Sequence, residues 1–272
     1  MHRGHCVKIG IAGFGTIGKV VGRALDKGIE GLELEAVCSG DRDKAVKNMA
    51  GYSRLVDVVD AAELAQRCDV IAECVPKAFF MDIAEPVLKA GKTLVTVSGA
   101  GILAHPEVID LARAHGGRII LATGALLGLD AVRAAAEGII HEVRMVTRKP
   151  PNALIGAPWL VEHGISVEGL NEPKKIFEGT AREGAAGFPA NVNVAAALGL
   201  AGVGPDETKL EIWADPSLDR NTHTIKVDAD SARFELTIEN VQSEENPGTG
   251  KITALSVIAC LRGLAAAFKV GS

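Results

Sequence analysis

The chain has 272 residues, 47% of them hydrophobic and 4% aromatic, and a formal net charge of −5 at pH 7. That length allows one large domain or two modest ones, and Ala, Val, Ile and Leu must fill the core. The acidic balance argues against a nucleic-acid partner, no apolar run is long enough to span a membrane, and no signal peptide is expected ahead of the first strand.

Residues 7–12 read as an apolar strand that runs straight into Gly13-Phe14-Gly15-Thr16-Ile17-Gly18, and residues 19–25 read as a helix. A G-x-G-x-x-G turn in that setting is the mark of a dinucleotide site. The first glycine allows the tight turn, the second lets a pyrophosphate approach the backbone, and the third lets helix and strand pack closely. The helix start then offers unpaired N–H groups to the phosphates. Gly13, Gly15, Thr16, Ile17 and Gly18 are therefore candidate cofactor contacts.

A second strand at 32–38 ends in Ser39-Gly40-Asp41-Arg42. At this place an acid bonds the ribose 2′-hydroxyl, whereas an arginine accepts a 2′-phosphate. Ser39 stands where a strict NAD acid would sit, and Asp41 comes slightly late with Arg42 beside it. Both NAD and NADP fit that mixture.

Strands follow at 55–59, 69–75, 93–97 and 118–122, separated by helices at 61–67 and 79–90 and one that starts near Pro106. Regular β–α alternation with short connections predicts an α/β fold, a doubly wound parallel (Rossmann) sheet. Its ligand edge lies beyond the carboxyl ends of the strands. The turns at 13–18, 74–77, 98–101 and 123–127 share that edge, and three are built of small residues that leave room for a nicotinamide ribose.

Residues 126–138 read as a helix, after which the pattern changes. Residues 139–147 alternate like a half-buried strand, and Arg148-Lys149-Pro150-Pro151 reads as a basic, rigid loop that breaks it. An irregular stretch reaches residue 178. Asn191 is placed to cap an apolar helix after Pro189. Three more strands at 209–214, 222–228 and 232–241 have one apolar face each, as in a one-sided, largely antiparallel sheet. A last helix, at 251–268, reads as well buried. The predicted organisation is a dinucleotide-binding domain over 1–138, a smaller α+β substrate domain over 139–245, and a C-terminal helix within 246–272 that packs back on the first.

Few residues outside the glycine turn can carry chemistry. His223 shares a strand face with Ile225 and Val227. A lone histidine there is ordinarily a hydrogen-bonded core residue, but it also exchanges protons near neutral pH. His141, His163, His105 and His115 are weaker candidates, and His2 and His5 sit at the terminus. Asn191 and Asn193 can cap a helix or hold a carboxylate or the cofactor carboxamide. Arg148 and Lys149 can bind an acidic substrate or form a solvated turn. The cysteines at 6, 38, 68, 74 and 260 form no C-x-x-C pair and leave one over, which points to free thiols in a cytoplasmic protein and away from a zinc site. No G-x-S-x-G or H-E-x-x-H is present.

Taken together, several segments resemble the L-aspartate dehydrogenase family. They are the glycine turn, Gly124-Ala125-Leu126-Leu127-Gly128-Leu129-Asp130, Thr147-Arg148-Lys149-Pro150-Pro151, Phe188-Pro189-Ala190-Asn191-Val192-Asn193-Val194-Ala195 and Asn221-Thr222-His223. The resemblance implies NAD(P)-dependent oxidation of L-aspartate to iminoaspartate, or amination of oxaloacetate with ammonia, linked to NAD synthesis. It further implies that Ala125 and one of Asn191 or Asn193 touch the cofactor, and that His223 is the active-site residue. The substrate carboxylates would fall to Lys149, Arg148 and Asn193, and a homodimer or larger homo-oligomer is expected. Asn152-Ala153-Leu154-Ile155 departs from the family, whose members tend to have an aromatic after the double proline. The rivals are a homoserine dehydrogenase or dihydrodipicolinate reductase on the same plan, and a non-catalytic NAD-sensing protein.

Overall fold

The computed structural model describes residues 6–188, 193–246 and 249–271. These divide into two units, one of residues up to 124 together with 253–271, the other of residues 125–252.

In the first unit, β1 (Val7–Ala12), β2 (Leu32–Cys38), β3 (Asp57–Val59), β4 (Val70–Glu73), β5 (Thr93–Thr96) and β6 (Arg118–Leu121) form one sheet in the order 3-2-1-4-5-6. Every pairing in it is parallel. Helices α1 (Gly18–Asp26), α2 (Arg42–Asn48), α3 (Ala61–Arg67), α4 (Phe80–Lys89), α5 (Gly99–Ala104) and α6 (Glu107–His115) connect the strands. A sheet covered on both faces needs strands that are apolar on both sides, and these are. Ile9, Ile11, Val37 and Val95 pack with Val21 and Leu25 of α1. Ala12, Ile71 and Leu94 pack with Leu64 of α3, Phe80 and Leu88 of α4, and Val108 of α6.

Two local expectations are corrected, and Asp41 gains a second role. The small residues after β5 form helix α5 and not an open turn. At Gly101 the small size serves packing, since a Cβ there would lie 2.8 Å from the Phe80 ring. The last helix is Lys251–Ala265, and it is buried along one stripe only. Val257 and Leu261 join the α1 side of the sheet, while Leu255 is 55% exposed. Asp41 caps α2, its Oδ1 accepting from the Lys44 amide at 2.9 Å. An N-cap of this kind is worth about 1 kcal/mol.

The second unit is a five-stranded sheet in the order β11-β10-β7-β9-β8. Its members are β7 (Ile140–Lys149), β8 (Lys174–Thr180), β9 (Lys209–Ala214), β10 (Asn221–Ala229) and β11 (Arg233–Asn240). All pairings are antiparallel except β7 with β9. That parallel step is possible because β7 and β9 are far apart in sequence, and a parallel pair needs a long crossover. Helices α7 (Leu129–Ala135), α8 (Pro158–Glu162), α9 (Ala181–Gly187) and α10 (Asn193–Ala201) belong to this unit. Helix α7 starts three residues later than expected, after Gly128, whose φ is 69°. The stretch read as irregular contains α8 and most of β8. Asn191, expected as the α10 cap, lies outside the described residues.

Strand β7 corrects the sequence reading most directly. Arg148 and Lys149 are not a loop. They are strand residues, paired with Trp213 and Ala214 of β9, and Arg148 also pairs with Thr222 of β10. Successive strand residues point to opposite faces, so the two cations are separated by the sheet.

Buried Glu73 shows how the first unit holds its ligand edge. At the end of β4, its Oε1 accepts from the Val75 amide at 2.8 Å and its Oε2 from the Thr96 hydroxyl at 2.5 Å. Thr96 Oγ1 in turn accepts from the Ser98 amide at 2.8 Å. Burial raises this carboxyl's pKa, and the hydrogen bonds oppose the rise. The folded state therefore holds the proton more tightly than the unfolded chain. Stability should fall as pH climbs from the ordinary Glu range through the raised value. Glu73→Gln should flatten that slope in urea melts from about pH 4 to about pH 8. Glu73→Leu should lower Tm at every pH, because two buried donors lose their acceptor at about 1–3 kcal/mol each. A Glu73→Leu protein with unchanged Tm would show that the carboxyl holds nothing.

Candidate active site

The glycine turn lies at the carboxyl end of β1, next to β4, where the strand order reverses and open α/β sheets bind ligands. Gly13 has φ 87°, and a Cβ there would meet the Cys74 backbone at 2.6 Å. A Cβ at Gly18 would lie 2.0 Å from the Gly13 carbonyl oxygen. Those two glycines are closed in by the protein itself. At Gly15 a Cβ would meet nothing within 4 Å. No side chain caps the start of α1, and Thr16 and Ile17, just before it, are partly exposed. Free N–H groups beside an open glycine suit a pyrophosphate, so the cradle fits a nicotinamide dinucleotide.

The ribose end is less committed. Asp41 spends one carboxylate oxygen on α2, and its carbonyl accepts from the Ser39 hydroxyl at 3.1 Å. Arg42 is the exposed first residue of α2.

In the second unit, strand alternation collects a different set. His223, Ile225 and Val227 of β10 face the same way as Val143, Met145, Thr147 and Lys149 of β7. His223 is 4% exposed and Lys149 is 3% exposed. Thr147, directly opposite His223 in the ladder, places its hydroxyl 3.0 Å from Nδ1. That contact fixes the ring and leaves Nε2 as the nitrogen available to a ligand. Burial, followed by the charge of Lys149, pushes the imidazole pKa down to about 3. Burial alone brings the Lys149 ammonium down to about 8. At neutral pH the pair is therefore a neutral imidazole beside a mostly charged lysine.

Other expected residues fall elsewhere. Arg148 is on the opposite face, bonded to Asp215 at 3.2 Å and stacked 4.6 Å from the Trp213 ring centre. It does not join His223, because one residue along a strand reverses the side chain. The Ala125 carbonyl accepts from Asn240 Nδ2 at 3.0 Å. Asn193 is the exposed first residue of α10. His115, His141 and His163 are exposed and His105 is half-buried, and His163 stacks on Trp159 at 3.7 Å. His2 and His5 lie outside the described residues. The sequence reading missed Thr147, Asn221 and Asn240 as members of the buried polar group. Period-two counting from Lys149 and His223 reaches Thr147 and Asn221, but only the strand register brings them side by side.

Residues 13–122 match the family described as "Homoserine dehydrogenase, NAD binding domain", and residues 130–264 match "Aspartate dehydrogenase, C-terminal". The fold resembles the crystal structure of aspartate dehydrogenase from Thermotoga maritima, with a TM-score of 0.75 and 22% identity over 98% of this chain and 100% of that one. A homoserine dehydrogenase from Thiobacillus denitrificans is less similar, with a TM-score of 0.61 and 13% identity over 95% of this chain and 73% of that one. The NAD-binding match and the curated dehydrogenase relatives make this an oxidoreductase that uses a pyridine nucleotide. An L-aspartate dehydrogenase from Bradyrhizobium diazoefficiens is 53% identical over 98% of this chain and 94% of its own. One from Methanosarcina mazei is 38% identical over 98% and 100%. The chain belongs to the L-aspartate dehydrogenase family.

Gly15→Val tests the cradle. The space at Gly15 is open, so the variant should fold with a near-normal Tm and lose NADH binding, its branched side chain occupying the pyrophosphate position. Fluorescence titration showing unchanged NADH affinity would place the dinucleotide elsewhere.

Proposed function

We propose that this enzyme oxidises L-aspartate at Cα to iminoaspartate with NAD or NADP, and runs the reverse amination of oxaloacetate with ammonia. The observation that carries the reading is the buried His223–Lys149 group in a chain 53% identical to an L-aspartate dehydrogenase. Iminoaspartate made this way would feed pyridine-nucleotide synthesis, as the family resemblance implies.

The glycine turn and the start of α1 would hold the dinucleotide, with Ala125 and Asn193 or Asn191 as further contacts. The bound nicotinamide supplies a hydride acceptor. The protein's own part is proton and charge handling. Hydride leaves Cα productively only when the amine is neutral, because its lone pair must enter the forming C=N bond. His223, neutral at working pH, takes a proton from the substrate ammonium through Nε2, and Thr147 keeps the ring in place. General-base help of this kind contributes about 10²–10⁴ in rate. Lys149 holds a substrate carboxylate as a charged ammonium.

Reduced-cofactor absorbance with L-aspartate and either nucleotide tests the activity. His223→Ala should lower kcat by about 10²–10⁴ and leave NADH affinity nearly intact. A folded variant with near-normal turnover would remove the catalytic assignment. Lys149 gives the pH dependence a sign. It is charged below about 8 and neutral above, so kcat/KM for L-aspartate, which reports the free enzyme, should fall as pH passes that value. Lys149→Arg keeps its charge throughout and should abolish the fall. An identical profile in both proteins would take Lys149 out of the carboxylate site.

Arg42 bears on cofactor choice. Arg42→Ala should raise KM for NADP more than for NAD, since only NADP carries a phosphate for the guanidinium. Equal effects on both would mean that Arg42 does not read the 2′ position.

A further inference from the structure

Two buried amides are left incomplete on the same sheet face as His223. Asn221 and Asn240 stand directly opposite each other on β10 and β11. They are 4% and 3% exposed, and each has an Oδ1 with no hydrogen-bond partner. The Asn240 assignment is unambiguous. Its other amide atom lies 3.0 Å from the Ala125 carbonyl oxygen, an acceptor, so that atom must be the NH₂ and the orphan must be the oxygen. Gly250 packs closely on this amide, since a Cβ there would come within 3.2 Å of that Oδ1. Asn221 is two residues from His223 on the same strand, so the histidine lies about 7 Å along the same face. Buried carbonyl oxygens are costly to leave unmade. Two of them side by side, next to a proton acceptor, call for one ligand with paired donors.

We infer that Asn221 and Asn240 form the amino-nitrogen site of the substrate. This rests on the reading of the chain as an amino-acid dehydrogenase and says how it selects an amine. Of the groups on an amino dicarboxylate, the carboxylates only accept hydrogen bonds and cannot satisfy an amide oxygen. The nitrogen donates. Opposed strand residues have Cβ atoms roughly 4.5–5.5 Å apart, and a nitrogen with two N–H bonds of about 2.9 Å to oxygen bridges acceptors at nearly that spacing.

The arrangement suits every stage of the oxidation. The substrate ammonium has three N–H groups. Two bond to Asn221 and Asn240, and the third proton passes to His223. A bound oxidised nicotinamide would accept the Cα–H electron pair as hydride, while the nitrogen lone pair forms C=N. The product iminium still carries two N–H groups and now a positive charge, so both hydrogen bonds persist and strengthen. A hydroxyl in place of the amine offers a single donor and leaves one oxygen orphaned. A site of this kind rejects the analogue that lacks a donor.

The experiment measures binding of L-aspartate, L-malate and succinate by calorimetry with NADH present, where L-aspartate is not turned over. In the native protein, L-aspartate should bind about 10–100-fold more tightly than L-malate, and succinate should bind most weakly. Asn221→Leu should reduce the aspartate-to-malate ratio to about twofold or less, without lowering Tm, because an unpaired buried oxygen is being removed. Asn221→Ser gives a second, smaller replacement in case the leucine protein does not fold, and should reduce the same ratio. If the native protein binds the three ligands equally, or if the ratio survives in both variants, the oxygens serve a water and the amine site is wrong while the aspartate reading stands. If none of the three binds, both fall.

Discussion

Polar groups placed inside an apolar sheet face must each find a partner or a ligand, since an unpaired buried polar group costs about as much as several good contacts return. The second unit depends on that constraint. Val143, Met145, Ile225, Val227, Leu210 and Ile212 make the face of its sheet a core. Toward one end, the same strands carry Thr147, Lys149, Asn221, His223 and Asn240 in place of aliphatic residues. The antiparallel register of β7, β10 and β11 brings these residues together from distant parts of the chain. Thr147 and His223 satisfy each other, and Asn240 is held by Ala125. Among the described residues, what is left over is two carbonyl oxygens. A face that is apolar along most of its length and incomplete at one end would position a ligand without needing a flexible loop.

The first unit meets the same constraint with backbone. Its binding edge is built from N–H groups at a helix start and from glycines that differ in what surrounds them. Gly13 and Gly18 have neighbours closer than any side chain would allow, and Gly15 has none. Glu73 and Thr96 then hold the neighbouring strand ends in register by accepting from the Val75 and Ser98 amides. The cradle is thereby rigid where the protein packs on itself and open where a ligand approaches.

Much of this was legible in the sequence because it is local. Strand, glycine turn and helix follow one another within residues 7–26, and the apolar alternation of Ile225 and Val227 puts His223 on the buried face by counting in twos. The family segments named the same histidine independently. Arg148 and Lys149 were misplaced for a non-local reason. A basic pair before two prolines looks like a turn, and the strands that hold it extended, β9 and β10, lie some sixty residues or more further on. Asp41, a cofactor candidate by its charge, also caps α2 through one carboxylate oxygen. The small residues at 98–101 suggest space for a ligand, but at Gly101 the missing side chain serves the approach to Phe80. Thr147, Asn221 and Asn240 escaped notice because ordinary strand residues become a site only through register.

An imidazole with a pKa near 3 is a weak base, and that value belongs to the protein without substrate. Its two causes are burial and the positive charge of Lys149. A dicarboxylate substrate changes the second cause directly. In the proposed reaction a carboxylate on Lys149 would neutralise the charge that disfavours imidazolium, and a second carboxylate nearby would reverse its sign. An opposite charge within about 4–6 Å raises the pKa of such a base by roughly 1–3 units. In the proposed reaction the histidine would stay uncharged until substrate binds, which avoids burying two cations together, and would become a stronger base when the substrate's carboxylates arrive. A monocarboxylate brings one negative charge and would leave the imidazole weaker. Selection for a second carboxylate can therefore act on proton transfer as well as on affinity, through a lysine and a histidine that share one face of one sheet.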